Sequence, residues 1–366
     1  MKFIVNKVAF IKDLAVGGSL AGRYKSMPVL DCVKIGIFDT YGEIVSSNIE
    51  STIRKRFDLV SPSEGSMAFC VEYDTFYKVM KSLPAGDISI DVKDAIMSIS
   101  HANGVIEIPV SDVKSFPEEP ELKADGQFDI DSSRLLDWAS ISQDFAASDE
   151  LRPVMSGMYL YRRADEVGFC ATDSHSLITD NMSDGIELGD VGIIVIRTSL
   201  PALSNICKSG AMIRVSYNKK KVRFIGLDGT TLSSTIVEGA YPNFKAVIPQ
   251  GGKFSLYVDK EAMKEALTRS TTCINKSTCD VVLSISSENI KIETSDTDFN
   301  KHSVENIPCR CGGDVKVRLN VNKLLNCIGA IASKEVNIVV TDNTRPVIFK
   351  DAASNNKTVL LMTMTM

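Results

Sequence analysis

The chain has 366 residues, 44% of them hydrophobic and 24% charged, and a formal net charge of −5 at pH 7. That length exceeds one ordinary domain and suits two or three, each burying its own core. The acidic balance excludes a uniformly basic coat for nucleic acid, so any phosphate binding requires lysines and arginines gathered on one surface.

One local pattern recurs six times along the chain. A short apolar strand ends in a polar residue, and about four positions later comes the first large apolar residue of a helical pattern. The first copy runs from Phe3 to Leu14, with Val5-Asn6 and then Phe10, and is followed by an alternating segment from Val33 to Asn48. The second runs from Phe69 to Leu83 (Val71-Glu72, then Phe76) and the third from Phe128 to Trp138 (Ile130-Asp131, then Leu135), followed by alternation from Met158 to Asp173. The fourth covers Ile193 to Ile206 (Ile196-Arg197, then Leu200) and the fifth Phe254 to Leu267 (Val258-Asp259, then Met263), followed by alternation from Val281 to Asp296. The sixth runs from Val315 to Ile331 (Leu319-Asn320, then Leu324).

The helical parts are amphipathic, with Phe76, Val79, Met80 and Leu83, or Leu324, Leu325, Ile328 and Ile331, at steps of three and four. The alternating segments carry apolar residues at every second position, as half-buried antiparallel strands do. Tyr41-Gly42, Asn103-Gly104, Asp228-Gly229 and Gly251-Gly252 are turn cues between strands. Copies spaced by roughly 60 residues pair into three units of about 120. The expected domains are residues 1–125, 126–252 and 253–366, in an α+β fold where each unit is two strand-helix-strand halves, helices inside and antiparallel sheets outside. Open repeats leave edge strands exposed, and a ring removes them; a symmetric dimer would close six units and twelve helical segments around one axis.

Several segments extend this reading. Met1-Lys2-Phe3 with Met27-Pro28-Val29-Leu30, then Leu151 to Met158, Ala171-Thr172-Asp173-Ser174-His175-Ser176-Leu177, Glu238 to Phe244, and the end Leu360-Leu361-Met362-Thr363-Met364-Thr365-Met366 occur in that order over the full length. In order and spacing they resemble the bacterial DNA polymerase III beta subunit, or beta sliding clamp, family. The resemblance implies three clamp domains, a closed ring as a head-to-tail homodimer around double-stranded DNA, and no catalysis. It also implies partners in a replicative DNA polymerase, an ATP-dependent clamp loader and other proteins with a clamp-binding motif.

Carried over by position, the partner-peptide pocket would be lined by Arg152, Met155, Thr172, His175, Leu177, Pro242, Val247, Leu360, Met362 and Met364. Alternating Leu360, Met362 and Met364 put a soft apolar stripe on one face of a terminal strand, and methionine surfaces adapt to varied partners. The competing reading of that stretch is the ordinary core of an edge strand. The chain departs from the family pattern at Pro153, Val154, Ser174, Ser176 and Ala246. For DNA, the candidates on the repeated helices and the loops leading to them are Arg23, Lys25, Lys78, Lys81, Arg134, Arg197, Lys208, Lys264 and Lys323. Each alone could be a solvated helix face, but recurrence in all the helical segments of an acidic chain is the segregation its charge demands. Family position places the dimer contact at Ile106 and Ile108 against Thr272, Cys273 and Ile274.

Other chemistry finds little support. His101, His175 and His302 lie far apart in sequence, and neighbours Asp173, Ser174 and His175 do not converge as a nucleophile and base must. A repeat-built small-ligand binder or hydrolase with a site near Asp173 and His175 is the alternative. Cys309-Arg310-Cys311 lacks a second Cys/His pair, Asp296-Thr297-Asp298 lacks the glycine and closing glutamate of a calcium loop, and neither Gly17-Gly18 nor Gly251-Gly252-Lys253 completes a phosphate loop. No metal or cofactor is expected. Nine cysteines without a paired framework, an opening that lacks an apolar signal core, and no run of roughly 18 apolar residues lead to the expectation of a cytoplasmic protein free of membrane.

Overall fold

The structure is a computed structural model that describes residues 1–22, 27–63, 65–119, 121–149, 151–208, 210–249, 251–352 and 354–365, with backbone alone at 184–189 and 355. The six recurring patterns become six strand-to-helix junctions, and the polar residue of each pattern explains why the strand stops there. Five open α-helices: α1 (Lys7–Gly17), α2 (Tyr73–Ser82), α3 (Ser132–Phe145), α4 (Lys260–Ser270) and α5 (Val321–Gly329). At each, the preceding side chain accepts the amide hydrogens that a helix start leaves free. Asn6 takes those of Val8 and Ala9, Glu72 those of Asp74 and Thr75, Asp131 that of Arg134, Asp259 that of Ala262 and Asn320 that of Lys323, at 2.7–3.4 Å.

The fourth junction differs from expectation. Arg197 occupies the capping position but its guanidinium has only donors, and Pro201 inside the segment has no amide hydrogen. The segment Arg197–Asn205 is accordingly a 3-10 helix, and Arg197 Nε donates instead to the carbonyl of Gln143 at 3.1 Å.

The chain forms two compact units. The first joins Met1–Ala139 with Thr198–Ile236. Its four-stranded antiparallel sheet has the order Lys2–Asn6, Asp87–Lys93, Ile96–His101, Gly104–Pro109. Its eight-stranded antiparallel sheet has the order Met67–Glu72, Cys32–Ile37, Tyr41–Ser47, Ser51–Asp58, Thr231–Thr235, Lys221–Ile225, Met212–Tyr217, Gly126–Asp131. Helices α1 and α2 pack on these sheets through one apolar cluster that includes Phe3, Val5, Phe10, Leu14, Ile35, Phe57, Phe76, Met80, Ile90 and Met97. The Phe10 ring meets Phe57 edge-on at 4.8 Å. Gly42, read from sequence as a turn residue, lies within a strand; a side chain there would run into the Phe57 ring, its Cβ 2.1 Å from Cζ.

The eight-stranded sheet is continuous because Ser51–Asp58 pairs with Thr231–Thr235, setting Ile53 opposite Leu232. Three buried hydroxyls secure this junction: Ser199 Oγ lies 2.6 Å from Ser51 Oγ and 2.7 Å from Ser234 Oγ. Replacing Ser199 with alanine is expected to lower unfolding stability by about 1–2 kcal/mol in a denaturant titration, a modest cost because Ser51 and Ser234, 3.4 Å apart, still satisfy each other. The connector after the first repeat is held on the same unit by Glu119, whose carboxylate accepts from Arg223 at 2.7 Å, from Arg54 at 3.2 Å and from the Ser233 hydroxyl.

The second unit joins Ser140–Arg197 with Val237–Met366. Its seven-stranded sheet has the order Gly157–Thr172, Ser176–Ile196, Ser354–Leu361, Val347–Asp351, Glu335–Val340, Phe254–Asp259, Arg310–Cys311. Its four-stranded sheet has the order Lys301–Pro308, Asn289–Asp296, Asp280–Ile285, Val315–Asn320. Helices α4 and α5 bury Met263, Leu267, Leu324 and Ile328 completely. The alternating segment at Met158 to Asp173 is one strand, Gly157–Thr172, with register shifts between Arg162 and Glu166. Its polar Arg163-Ala164-Asp165 sits at that irregularity, where Ala164 has φ of 50°, and the long partner strand continues past it. Thus three sequence repeats are distributed over two units, the middle repeat contributing strands to both.

Candidate partner pocket and nucleic-acid face

All ten residues expected to line the peptide pocket belong to the second unit, and the tight turn between Thr172 and Leu177 organises them. Asp173 Oδ1 accepts from the amides of His175 (2.9 Å) and Ser176 (2.7 Å) and from the Ser176 hydroxyl (3.0 Å), a local turn that aspartate forms readily. Thr172, buried, donates its hydroxyl to Ser176 O at 2.7 Å and accepts the Ser174 amide at 3.2 Å. Ser174 carries φ of 74°, the left-handed conformation that glycine adopts most easily. The Arg152 guanidinium grips this turn, donating to the Asp173 carbonyl at 3.1 Å and to the Ser174 hydroxyl, with Asp149 at 2.8 Å on its other side. The Ser174 hydroxyl also approaches Met155 Sδ at 3.7 Å.

Beneath the turn lies an apolar floor. Leu177 pairs across the sheet with Leu360, and both pack with Tyr161, Cys170 and Phe244. Tyr159 and Tyr241 stack face to face at 4.5 Å. Burial, with the Glu166 carboxylate beside it, pushes the Tyr161 hydroxyl above its ordinary pKa; burial does the same to Tyr241, so both stay neutral. Sequence reading placed Tyr159 and Tyr161 in an alternating segment and Tyr241 and Phe244 in a family-like one, but assigned none of them to the pocket. Leu360 is 2% exposed and belongs to the core, whereas Met362 and Val247 are 38% and 54% exposed at the surface. The strand ends at Leu361, one residue before the expected methionine stripe continues. Met362 and Met364 nevertheless stay ordered, since their amides donate to the carbonyls of His175 and Arg318, each at 2.8 Å. Pro242 is half-buried at the turn that brings Phe244 into the floor.

A polar cavity of about 350 Å³ adjoins the turn. Arg152 and His175, assigned from sequence to the pocket, and Arg197 and Lys323, assigned to the DNA face, line it together with Gln143, Asp149, Asp173 and Asn326. The Lys323 ammonium pairs with Asp173. Burial works against ionisation of Asp173, but the hydrogen bonds from Lys323 and from the Ser176 and His175 amides hold its carboxyl below the usual range. With both oxygens engaged in this way, Asp173 does not orient the His175 ring, and a hydrolytic dyad is not assembled.

The remaining basic candidates are dispersed. Arg23 and Lys25 lie outside the described residues. Lys78 is exposed with Asp74 3.9 Å away, Lys81 is exposed in the last turn of α2, and Arg134 is half-buried in the first turn of α3. Lys264 is exposed on α4. Lys208 is held by Asp228, which also takes Lys55 at 2.7 Å. Burial opposes it, but those two ammonium hydrogen bonds keep Asp228 far below the ordinary carboxylate range. Sequence gave no hint of Lys55 or Asp228 as partners, because 173 residues separate them. For the dimer contact, Ile108 is buried and Ile106 half-buried on the edge strand of the first unit. Thr272 is exposed, with Cys273 and Ile274 half-buried after α4 in the second.

Three repeats of paired strand-helix-strand halves, with antiparallel sheets and helices packed on them, define the DNA-clamp fold. Three family models match the chain in order: the N-terminal, central and C-terminal domains of the DNA polymerase III beta subunit, at residues 1–120, 138–243 and 245–365. The beta sliding clamp of Escherichia coli strain K12 is 23% identical over 367 residues, covering all of both chains. The crystal structure of the Pseudomonas aeruginosa DNA polymerase III subunit beta superposes with a TM-score of 0.94 at 21% identity over the whole of each chain. A Pseudomonas aeruginosa sliding clamp bound to griselimycin gives 0.93 at 21% identity, again over both full lengths. The chain belongs to the DNA polymerase III beta subunit family, the beta sliding clamps. As a member it is a DNA sliding clamp, a processivity factor and not an enzyme.

Proposed function

We propose that two copies of the chain close head to tail into a ring around duplex DNA and hold a replicative polymerase there by topology. The observation that carries this reading is that two sheet-edge strands, Gly104–Pro109 in the first unit and Lys301–Pro308 in the second, are each paired on one side only among the described residues, on a chain of three repeats. Joining unlike edges closes the assembly at two subunits and leaves neither edge open. The three domains would span about 1–125, 126–252 and 253–366. Contacts from Arg23, Lys25, Lys78, Lys81, Arg134, Arg197, Lys208, Lys264 and Lys323 would go to phosphates, independent of sequence and weakened by salt.

The surface around Arg152, Met155, His175, Val247 and Met362 would take a short peptide from the polymerase, from an ATP-dependent loader that opens the ring, or from other proteins with a clamp-binding motif. Tethering raises the partner's effective concentration at the primer end without a tight local contact. The ring would work in the cytoplasm, where the chromosome is copied. Among the described residues no helix is long and apolar enough to cross a membrane.

Retention on DNA tests this. Loaded protein is expected to stay on nicked circular DNA at moderate salt and to leave when the circle is cut, with the free protein sedimenting as a dimer. Release at equal rates from circles and linear DNA would overturn encirclement.

A further inference from the structure

We infer that the outer face of the eight-stranded sheet carries a further ligand site, a trough over Gly36 that takes a short acidic peptide. An apolar side chain of that peptide fills the trough and a neighbouring carboxylate meets Lys34. The site lies wholly within the first unit and depends neither on the ring nor on the pocket at Asp173. A cavity of about 380 Å³ marks it, a volume within the range of small ligand sites.

The internal repeat explains why the trough is there. The turn at Ile49 matches the turn at Ser174: Ile49 has φ of 76° and Ser174 φ of 74°. Asn48 Oδ1 accepts the Ser51 amide as Asp173 Oδ1 accepts that of Ser176, both at 2.7 Å. The Thr235 amide donates to Glu50 O as the Met362 amide does to His175 O, both at 2.8 Å. Counting back equally from the two turns sets Gly36 at the place of Tyr161 and Glu43 at that of Gly168. In the second unit the Tyr161 ring lies over Gly168, where a Cβ would come within 2.5 Å of it, so that face is filled. In the first unit the pair is exchanged; Gly36 supplies no side chain and the face stays open.

Gly36 pairs with Ala68 on one side and with Glu43 on the other, and these three form the floor. Ala68 is exposed at the edge of the sheet, and Glu43 closes the inner end. One wall is Phe38, stacked on Tyr41 at 4.8 Å; the other is Val45 with Lys34. Arg54 also lines the cavity but is committed, to Glu43 at 2.6 Å and to Glu119 at 3.2 Å. Lys34 has no ion-pair partner among the described residues, and a cation beside an apolar trough without an anion of its own selects an anionic ligand. The mouth supplies the peptide-specific part. The amide and carbonyl of Cys70 both bond to Ser111 at 2.9 Å, outward from the sheet. Alternation along an antiparallel strand points the amide and carbonyl of Ala68 the same way, where an extended peptide can pair with them.

Ligand-observed NMR titration of the full chain with N-acetyl-Gly-Phe-Asp-Gly amide tests the site. Saturable binding is expected, weakened about tenfold or more by Ala68→Phe, which plugs the mouth from an exposed position. Binding should persist when Met362 and Met364 are both changed to aspartate. Exchanging the probe's aspartate for asparagine is expected to weaken binding to the parent about fivefold, and to make no difference to Lys34→Met, as one part-exposed charge pair allows. No saturable binding, or binding indifferent to Ala68→Phe, overturns the site. Binding lost with the two methionines puts the probe at Asp173 and overturns it equally. Phenylacetate bound as tightly as the peptide overturns a peptide as the occupant.

Discussion

Changing Met362 and Met364 together to aspartate is expected to weaken binding of a clamp-binding-motif peptide by about 30-fold or more, the loss typical of an interface anchor. Fluorescence polarisation with a labelled peptide measures it, and sedimentation should still report a dimer. The two residues are suited to this test because they lie beyond the last strand: Met362 is 38% exposed, so its replacement removes contact surface without opening a core. Leu360 would be a poor choice, since at 2% exposure its truncation costs about 2–5 kcal/mol of folding stability and would confound the reading. Peptide affinity that survives both aspartates would move the partner site away from the turn at Asp173.

The second large effect concerns stability. Glu119→Ala is expected to cost about 2–3 kcal/mol in denaturant titration at pH 7, less than a fully buried pair because Arg54 is 37% exposed and screened by water. The side chain of Glu119 is only 7% exposed, and removing it takes a carboxylate partner from Arg223 and from Arg54, which keeps Glu43 at 2.6 Å, and leaves the Ser233 hydroxyl without its acceptor. The same group sets a pH dependence. Burial pushes Glu119 upward, but the Ser233 hydroxyl, Arg223 and Arg54 outweigh it and hold its carboxyl below the ordinary value. A carboxylate whose folded pKa is depressed contributes its stability above the unfolded value, about 4.3, and loses it as pH falls through the folded one. Glu119→Gln should therefore flatten the loss of stability between neutral and acid pH. A variant as acid-sensitive as the parent would show that other carboxylates govern that limb.

What the sequence revealed and what it concealed divide along the distance between interacting residues. Asn6, Glu72, Asp131, Asp259 and Asn320 announce helix starts because a cap is settled within three residues, and Arg197 marks the one junction where the chemistry fails. The turn at Asp173 is equally local, although it was not among the turn cues read from the sequence. By contrast, Lys323 reaches Asp173 across 150 residues and Lys55 reaches Asp228 across 173, and no local pattern predicts either. As a result the basic candidates looked like one set, although Arg197 and Lys323 share a cavity with Arg152 while Lys208 is occupied by a carboxylate. The methionine stripe was half legible. Alternation put Leu360, Met362 and Met364 on one face of a terminal strand, whereas Leu360 faces inward and Met362 lies past the strand's end.

The middle repeat lends strands to both of its neighbours. Thr231–Thr235 completes a sheet with Ser51–Asp58, and Ser176–Ile196 completes another with Ser354–Leu361. The repeating segment is therefore not the compact unit. A gene fragment cut at the repeat boundaries would bare a sheet edge at every cut, whereas the compact units each combine one terminal repeat with part of the centre. With strands shared in this way, removing or adding a single repeat would bare sheet edges, so folding itself holds the number of repeats in the chain.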